Sequence, residues 1–166
     1  SESVPKPEAV PGYSRKKLLR RLFQILVKME VLRPEWKQYR TQAEKTLMEA
    51  APFSPEQEAA FQTLFTDIAA EQLMVYFLFT YFAGAVYDGD AWGKMKFSFA
   101  AMVLIRELFR AEWLQNPDAA TAETLRRAAW RFARELEHSD PNKALLEKAL
   151  KKEPLFSLRS LFTLLS

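Results

Sequence analysis

Between Ile68 and Val86 the chain carries Leu73, Met74, Val75, Phe77, Leu78, Phe79 and Phe82 with almost no polar break. A helix without a polar face must be surrounded by other elements. The stretch therefore predicts a helical bundle with residues 68–86 at its centre. Its most apolar part, Leu73 to Val86, is 14 residues long, short of the ~20 needed to cross a bilayer. Glu71 and Gln72 stop it extending upstream, so no membrane partner is expected.

The flanking sequence reads as helices that wrap this strip. Leu18, Leu22, Ile25, Leu26, Met29 and Leu32 recur on one helical face, opposite Lys17, Arg20, Arg21, Gln24 and Lys28. Ser14 is placed to cap that helix. After Pro34, a second stripe runs through Trp36, Tyr39, Ala43 and Leu47. Ser54-Pro55-Glu56-Gln57 combines a capping Ser, Pro at the first helical position and a Gln that can reach back. Phe61, Leu64, Phe65 and Ile68 follow it at helical spacing.

Asp88-Gly89 predicts a break, because Gly accepts the left-handed backbone that ends a helix, and Asp90 can cap the next one. Gly84 would permit a close helix–helix approach. A long amphipathic helix is expected from about Ala91 to Gln115. Phe97, Ala101, Leu104, Ile105, Leu108 and Trp113 would face inward, with Arg106, Glu107 and Arg110 outward. Leu125, Ala129, Phe132 and Leu136 mark a further stripe, supported by an Arg131–Glu135 pair one turn apart. Asp140-Pro141 and then Ser157 start the last helices, the final one using Leu158, Leu161, Phe162 and Leu165.

No alternating strand pattern interrupts this order. Four Gly in 166 residues are too few for the many turns of a sandwich or barrel. The expected fold is all-α: a single-domain bundle of about seven to eight helices around a central apolar helix, spanning residues 14–166. Residues 1–13, with three prolines, read as an extended linker.

Composition removes several chemistries. With no Cys there is no disulfide, thiolate metal site or cysteine nucleophile. Glu135-x-x-His138 has the spacing of a carboxylate-bridged di-iron helix, but that site needs two such motifs and two further Glu. His138 is the only His, so no metal is expected and His138 reads as a helix C-terminal residue followed by Asp140 as a cap. Asp88-Gly89-Asp90 looks like a calcium loop, but the position of the bidentate Glu is Phe99. Capping is the simpler role, with a surface pocket near Lys94 and Lys96 as the alternative. The aromatic row Tyr76, Phe77, Phe79, Tyr81, Phe82 and Tyr87 reads as core packing rather than a ligand cavity.

Charge is uneven. Residues 1–45 carry eleven basic and five acidic side chains, leaving the remainder with a net charge of −3. A basic end can attract an acidic partner. Aromatics do not interleave with these charges as strand-stacking sites require, so the solvated helix face is preferred and no nucleic acid is expected.

The stretch from Leu73 to Leu108, containing AVYDGD and then KMKFSFA, is followed by RFARELEHSDPN (131–142) and LFSLRSLFTLL (155–165). In that order these segments resemble the C-terminal region of the flagellin lysine-N-methylase family, over about residues 65–165. The resemblance implies methyl transfer from S-adenosylmethionine to lysines of flagellin in the cytoplasm, carried out by a longer parent. It also implies a cysteine cluster, suited to metal or iron–sulfur binding, in an N-terminal part of the same polypeptide. This chain has no such cluster, so no cofactor is expected in it and no catalytic residue carries over.

Two functions follow. The first is a helical domain that docks against the cysteine-rich part and helps position flagellin. Its candidate substrate-binding residues are Asp88, Asp90, Glu135 and His138, since carboxylates favour a cationic lysine. It predicts a filled core and an exposed apolar or charged patch. The second is a stand-alone helical ligand-binding or dimerisation module, which predicts an enclosed cavity of several hundred Å³ and a twofold interface.

Overall fold

Most of the helices begin where a side chain takes up a free backbone donor, and α2 begins at a proline that has none. In a computed structural model that describes residues 14–81, 87 and 89–165, Ser14 Oγ accepts the N–H of Lys17 and opens α1 (Arg15–Lys28). Pro34 starts α2 (Pro34–Glu49). Ser54 and Gln57 close a reciprocal capping box on α3 (Pro55–Gln62). A short turn leads to α4 (Asp67–Tyr81). Asp90 caps α5 (Ala91–Gln115). Then come α6 (Ala122–Glu137), α7 (Asp140–Lys152) and α8 (Leu158–Phe162), with 3-10 turns at Pro117–Ala119, Pro154–Phe156 and Thr163–Leu165. Among the described residues there are eight α-helices and no strand, the all-α single-domain fold expected.

The expected linker at residues 1–13, Gly84, Phe82 and Asp88 lie outside the described residues.

The centre of the bundle is α5, not the apolar strip. Every residue from Phe97 to Ala111 is buried, and α5 packs against α2, α4, α6, α7 and α8. α4 covers one side of it. Phe77 is fully buried and Leu73, Met74 and Tyr81 are partly so, but Ile68, Val75 and Phe79 are 66%, 51% and 87% exposed. The sequence expectation thus exchanged the two helices. The reason is electrostatic: Arg106, Glu107 and Arg110, expected to face solvent, are all buried, with both guanidiniums within 3.5 Å of the Glu107 carboxylate. Charge on a helix marks a polar face only when it has no partner inside.

Three smaller differences have the same local cause, a competing partner. Phe61 and Ile68 do not share a helix, because residues 63–66 break it and Thr66 Oγ1 accepts the N–H of Ala69. Arg131 does not pair with Glu135. It lies 4.6 Å from the Tyr39 ring centroid and 3.6 Å from Glu112, which Tyr39 Oη also reaches at 2.9 Å. Ser139, rather than Asp140, caps α7 by accepting the N–H of Asn142. A fourth difference is one of position: Leu32, expected inside, is past the end of α1 and exposed.

Phe162, expected in the last stripe, is 46% exposed; the other stripes pack largely as expected. Leu18, Leu22, Ile25, Leu26, Trp36, Ala43, Leu47, Phe61, Phe132, Leu136 and Leu161 are all buried in one continuous core. Phe53, Phe61 and Trp113 meet edge-on, with centroids 5.3–6.0 Å apart, a spacing that favours tilted aromatic pairs.

Candidate functional site

An open groove of about 570 Å³ lies between α4 and α6, with Ile105 of α5 on its floor. Helical periodicity builds both walls. Leu73, Tyr76 and Phe77 are one turn apart on α4, and Ala129, Ala133 and Glu137 recur every four residues on α6, beside Trp130 and Arg134. Arg33, the N-cap of α2, and His138, at the end of α6, also line the groove.

Its polar groups are already engaged with one another. Tyr76 Oη donates to the Glu137 carboxylate. The Arg134 guanidinium sits 3.7 Å from the Trp130 ring centroid and 3.8 Å from Glu35, with its Nε buried and unpaired. Trp130 is 58% exposed, so the stacked pair forms part of the rim. The groove therefore offers apolar area and shape, with charges fixed at its edges. It opens to the surface and is not the enclosed chamber that a buried-ligand module would have.

Of the four residues singled out from the sequence, the three that are described do not converge. His138 is exposed and lines the groove. Glu135 is 1% exposed and faces the α1–α2 connection, where its carboxylate accepts the backbone N–H of Leu32 at 2.8 Å and of Arg33 at 3.1 Å. Asn142 completes this clasp, donating to the carbonyls of Glu30 and Glu135 and accepting the N–H of Glu30. The segment 135–142 thus grips residues 30–33.

Asp90 is a cap. Its carboxylate accepts Gly93 N–H at 3.0 Å and Lys151 Nζ at 2.8 Å; Lys151, then the Gly93 amide, hold it below the ordinary carboxylate range. A side chain on Gly93 would collide with that carboxylate, since its Cβ would lie 2.3 Å from Oδ2. Gly89 has φ +70°, the left-handed turn expected there. Asp88 lies outside the described residues.

A second polar assembly escaped the sequence reading. Glu107, fully buried, receives Arg15 Nη2 and, at 2.8 Å, Arg106 Nη1 on one oxygen; Arg110 Nη1 stands 3.5 Å from the other. Arg15 and Arg106 also donate to the carbonyl oxygen of Leu164, so the cluster ties α1, α5 and the C-terminal turn together. Burial, opposed by the Glu107 charge, lowers the Arg106 and Arg110 pKa values below the usual guanidinium range. The available signal was Arg106-Glu107-x-x-Arg110 set among apolar residues: opposite charges one turn apart can be buried as a unit.

Among the described residues, no three His, Cys, Asp or Glu side chains come together to hold a metal ion. No described helix is long and apolar enough to cross a membrane.

A family model described as the FliB lysine N-methylase C-terminal domain matches residues 3–164. It takes in residues 3–64, to which the resemblance read from the sequence did not extend. No curated protein and no solved structure matches the chain.

Proposed function

Given that the chain belongs to the family of FliB lysine N-methylase C-terminal domains, we propose that it is a docking and substrate-positioning element of a lysine N-methylase. The parent would transfer methyl groups from S-adenosylmethionine to lysines of flagellin in the cytoplasm. This domain would seat the catalytic part on α4 and a flagellin segment along the α4–α6 groove. A thiolate-ligated iron–sulfur cluster has no donors here, because the chain holds no Cys; such a cluster would belong to a cysteine-rich part of the same polypeptide.

One observation carries the reading: α4 is apolar on two faces and only one is covered. Leu73, Phe77 and Tyr81 pack on the core, while Ile68, Val75 and Phe79 form an outer stripe at helical spacing. Isolated exposed apolar residues are ordinary, but a contiguous patch marks an interaction surface.

The test is reconstitution. The remainder of the enzyme, supplied separately, should bind this chain and regain flagellin methylation, and V75S/F79S should lose both. Methyl transfer by this chain alone would refute the accessory role. A stand-alone dimerisation module is the second reading, favoured by the exposed outer stripe of α4. It predicts a stable dimer that V75S/F79S dissolves, with no binding to the remainder of the enzyme.

A further inference from the structure

Helix α1 carries six cations, Arg15, Lys16, Lys17, Arg20, Arg21 and Lys28, and no carboxylate. The fold engages some of them: Arg15 turns inward to Glu107, and Arg21 pairs with Glu153. Arg20 and Lys28 are exposed and form no ion pair among the described residues. The same holds for Arg33, exposed just beyond the helix. Among these charges stand Val27, Val31 and Leu32, which are 54%, 42% and 36% exposed. The backbone beneath the last two is pinned. Glu135 accepts the N–H groups of Leu32 and Arg33, and Asn142 holds both the N–H and the carbonyl oxygen of Glu30. Glu135 and Asn142 are each 1% exposed, so two buried polar side chains fix a connection whose own apolar side chains meet solvent. A loop held in this way has little freedom left to lose on binding.

Residues 20–40 hold six basic side chains and two acidic ones. Glu135 and Glu153, which the fold brings to them, raise the carboxylates to four and leave two cations in excess. The carboxylates are also engaged: Glu30 accepts the Ser139 hydroxyl, Glu35 faces Arg134, and Glu153 takes Arg21. We propose that the α1–α2 corner is a docking surface for an acidic segment of another protein. Apolar side chains of that segment would meet Val27, Val31 and Leu32, and its carboxylates Arg20, Lys28 and Arg33. No aromatic side chain of residues 20–40 is exposed, which leaves nucleic-acid bases nothing to stack on. The apolar face of α1 is turned into the core and cannot enter a lipid surface. A protein segment needs neither, since apolar contacts inside a charged rim make an ordinary interface. The corner shares no residue with the outer stripe of α4, so its failure leaves that docking role untouched.

The experiment titrates the full chain into a fluorescein-labelled helical peptide with leucines on one face and glutamates on the other, read by fluorescence anisotropy. A counterpart carries lysines in place of the glutamates. The glutamate peptide should bind at least about tenfold more tightly, as expected when several exposed ion pairs give way to repulsion, and added sodium chloride should narrow the gap. Lys28→Gln with Arg33→Gln should weaken the glutamate peptide about fivefold, the loss of two exposed pairs. Val27→Ser with Val31→Ser should weaken it about tenfold through lost apolar contact. All four side chains are exposed, so neither double variant disturbs the core, and V75S/F79S should leave the binding unchanged. Equal or tighter binding of the lysine peptide would overturn the proposal, as would binding of neither peptide. Loss of binding in V75S/F79S, or none in the two corner variants, would place the peptide elsewhere and overturn it too. Displacement of the glutamate peptide by single-stranded DNA or phosphatidylserine vesicles, at a lower concentration of negative charge than unlabelled peptide needs, would assign the corner to nucleic acid or membrane instead.

Discussion

Arg106 and Glu107 are neighbours in the chain and partners in space: Nη1 of the first donates to Oε1 of the second at 2.8 Å, and neither is more than 5% exposed. Adjacent residues on a helix normally diverge by about 100°. Here both side chains turn toward the C-terminal turn, where Arg106 also meets Leu164 O. The pair thus fastens the end of the chain to its central helix.

Removing the shared acceptor should be severe. Glu107→Gln removes the carboxylate that Arg15, Arg106 and Arg110 share, and breaking a buried ion pair costs about 3–5 kcal/mol. Urea unfolding at neutral pH measures it. A loss under about 1 kcal/mol would mean the cluster behaves as a solvated surface pair.

Glu135 and His138, three residues apart, should separate cleanly. Glu135→Ala strands the amides of Leu32 and Arg33 and should cost about 2–4 kcal/mol, one unsatisfied-donor penalty for each. His138→Ala touches an exposed side chain and should stay within about 0.5 kcal/mol. Flagellin binding measured on the folded variants then tests the proposed substrate role of each residue; an effect of His138→Ala on binding without one on stability would support that role for His138.

The outer stripe of α4 should be dispensable for folding. V75S/F79S changes residues that are 51% and 87% exposed, so the unfolding midpoint should move by no more than about 0.5 kcal/mol for each substitution. Thermal melts check this beside the docking assay. A large destabilisation would show that the stripe supports the bundle itself.

Acid should weaken one long-range tie. Glu153 accepts Arg21 Nε at 2.8 Å and Arg21 Nη2 at 2.6 Å, and Arg21 holds its carboxyl below the ordinary value of 4.5. A depressed folded pKa stabilises the protein above the unfolded value and loses that contribution as pH falls through the folded one. Glu153→Gln should therefore cost about 0.5–1 kcal/mol at pH 7, discounted for partial exposure. The difference from the parent chain should shrink steadily below pH 4.5. Stability measured against pH for both chains tests it, and a difference that grows in acid contradicts the assignment.

The features legible in the sequence are those set by a few consecutive residues. Ser14, Ser54, Asp90 and Ser157 cap the helices expected of them, because a cap reaches only two or three residues ahead. Gly89 turns where a left-handed residue is needed. What escaped depends on partners far along the chain. Glu135 had a basic residue four positions away, yet amides a hundred residues earlier took its carboxylate. α5 looked amphipathic because periodicity counts every charge as outward, and only the folded arrangement reveals that Arg15 supplies the third positive group. α4 looked central because its composition is apolar all round. Composition records what a helix needs covered, not which chain covers it.

The doubly apolar α4 has a further consequence for how many copies of this chain a cell can tolerate. Its outer stripe is quiet only while something shields it; a surplus copy displays the kind of sticky surface that chaperones and proteases triage. On the proposed docking role, supply of the domain would thereby be matched to supply of its cover.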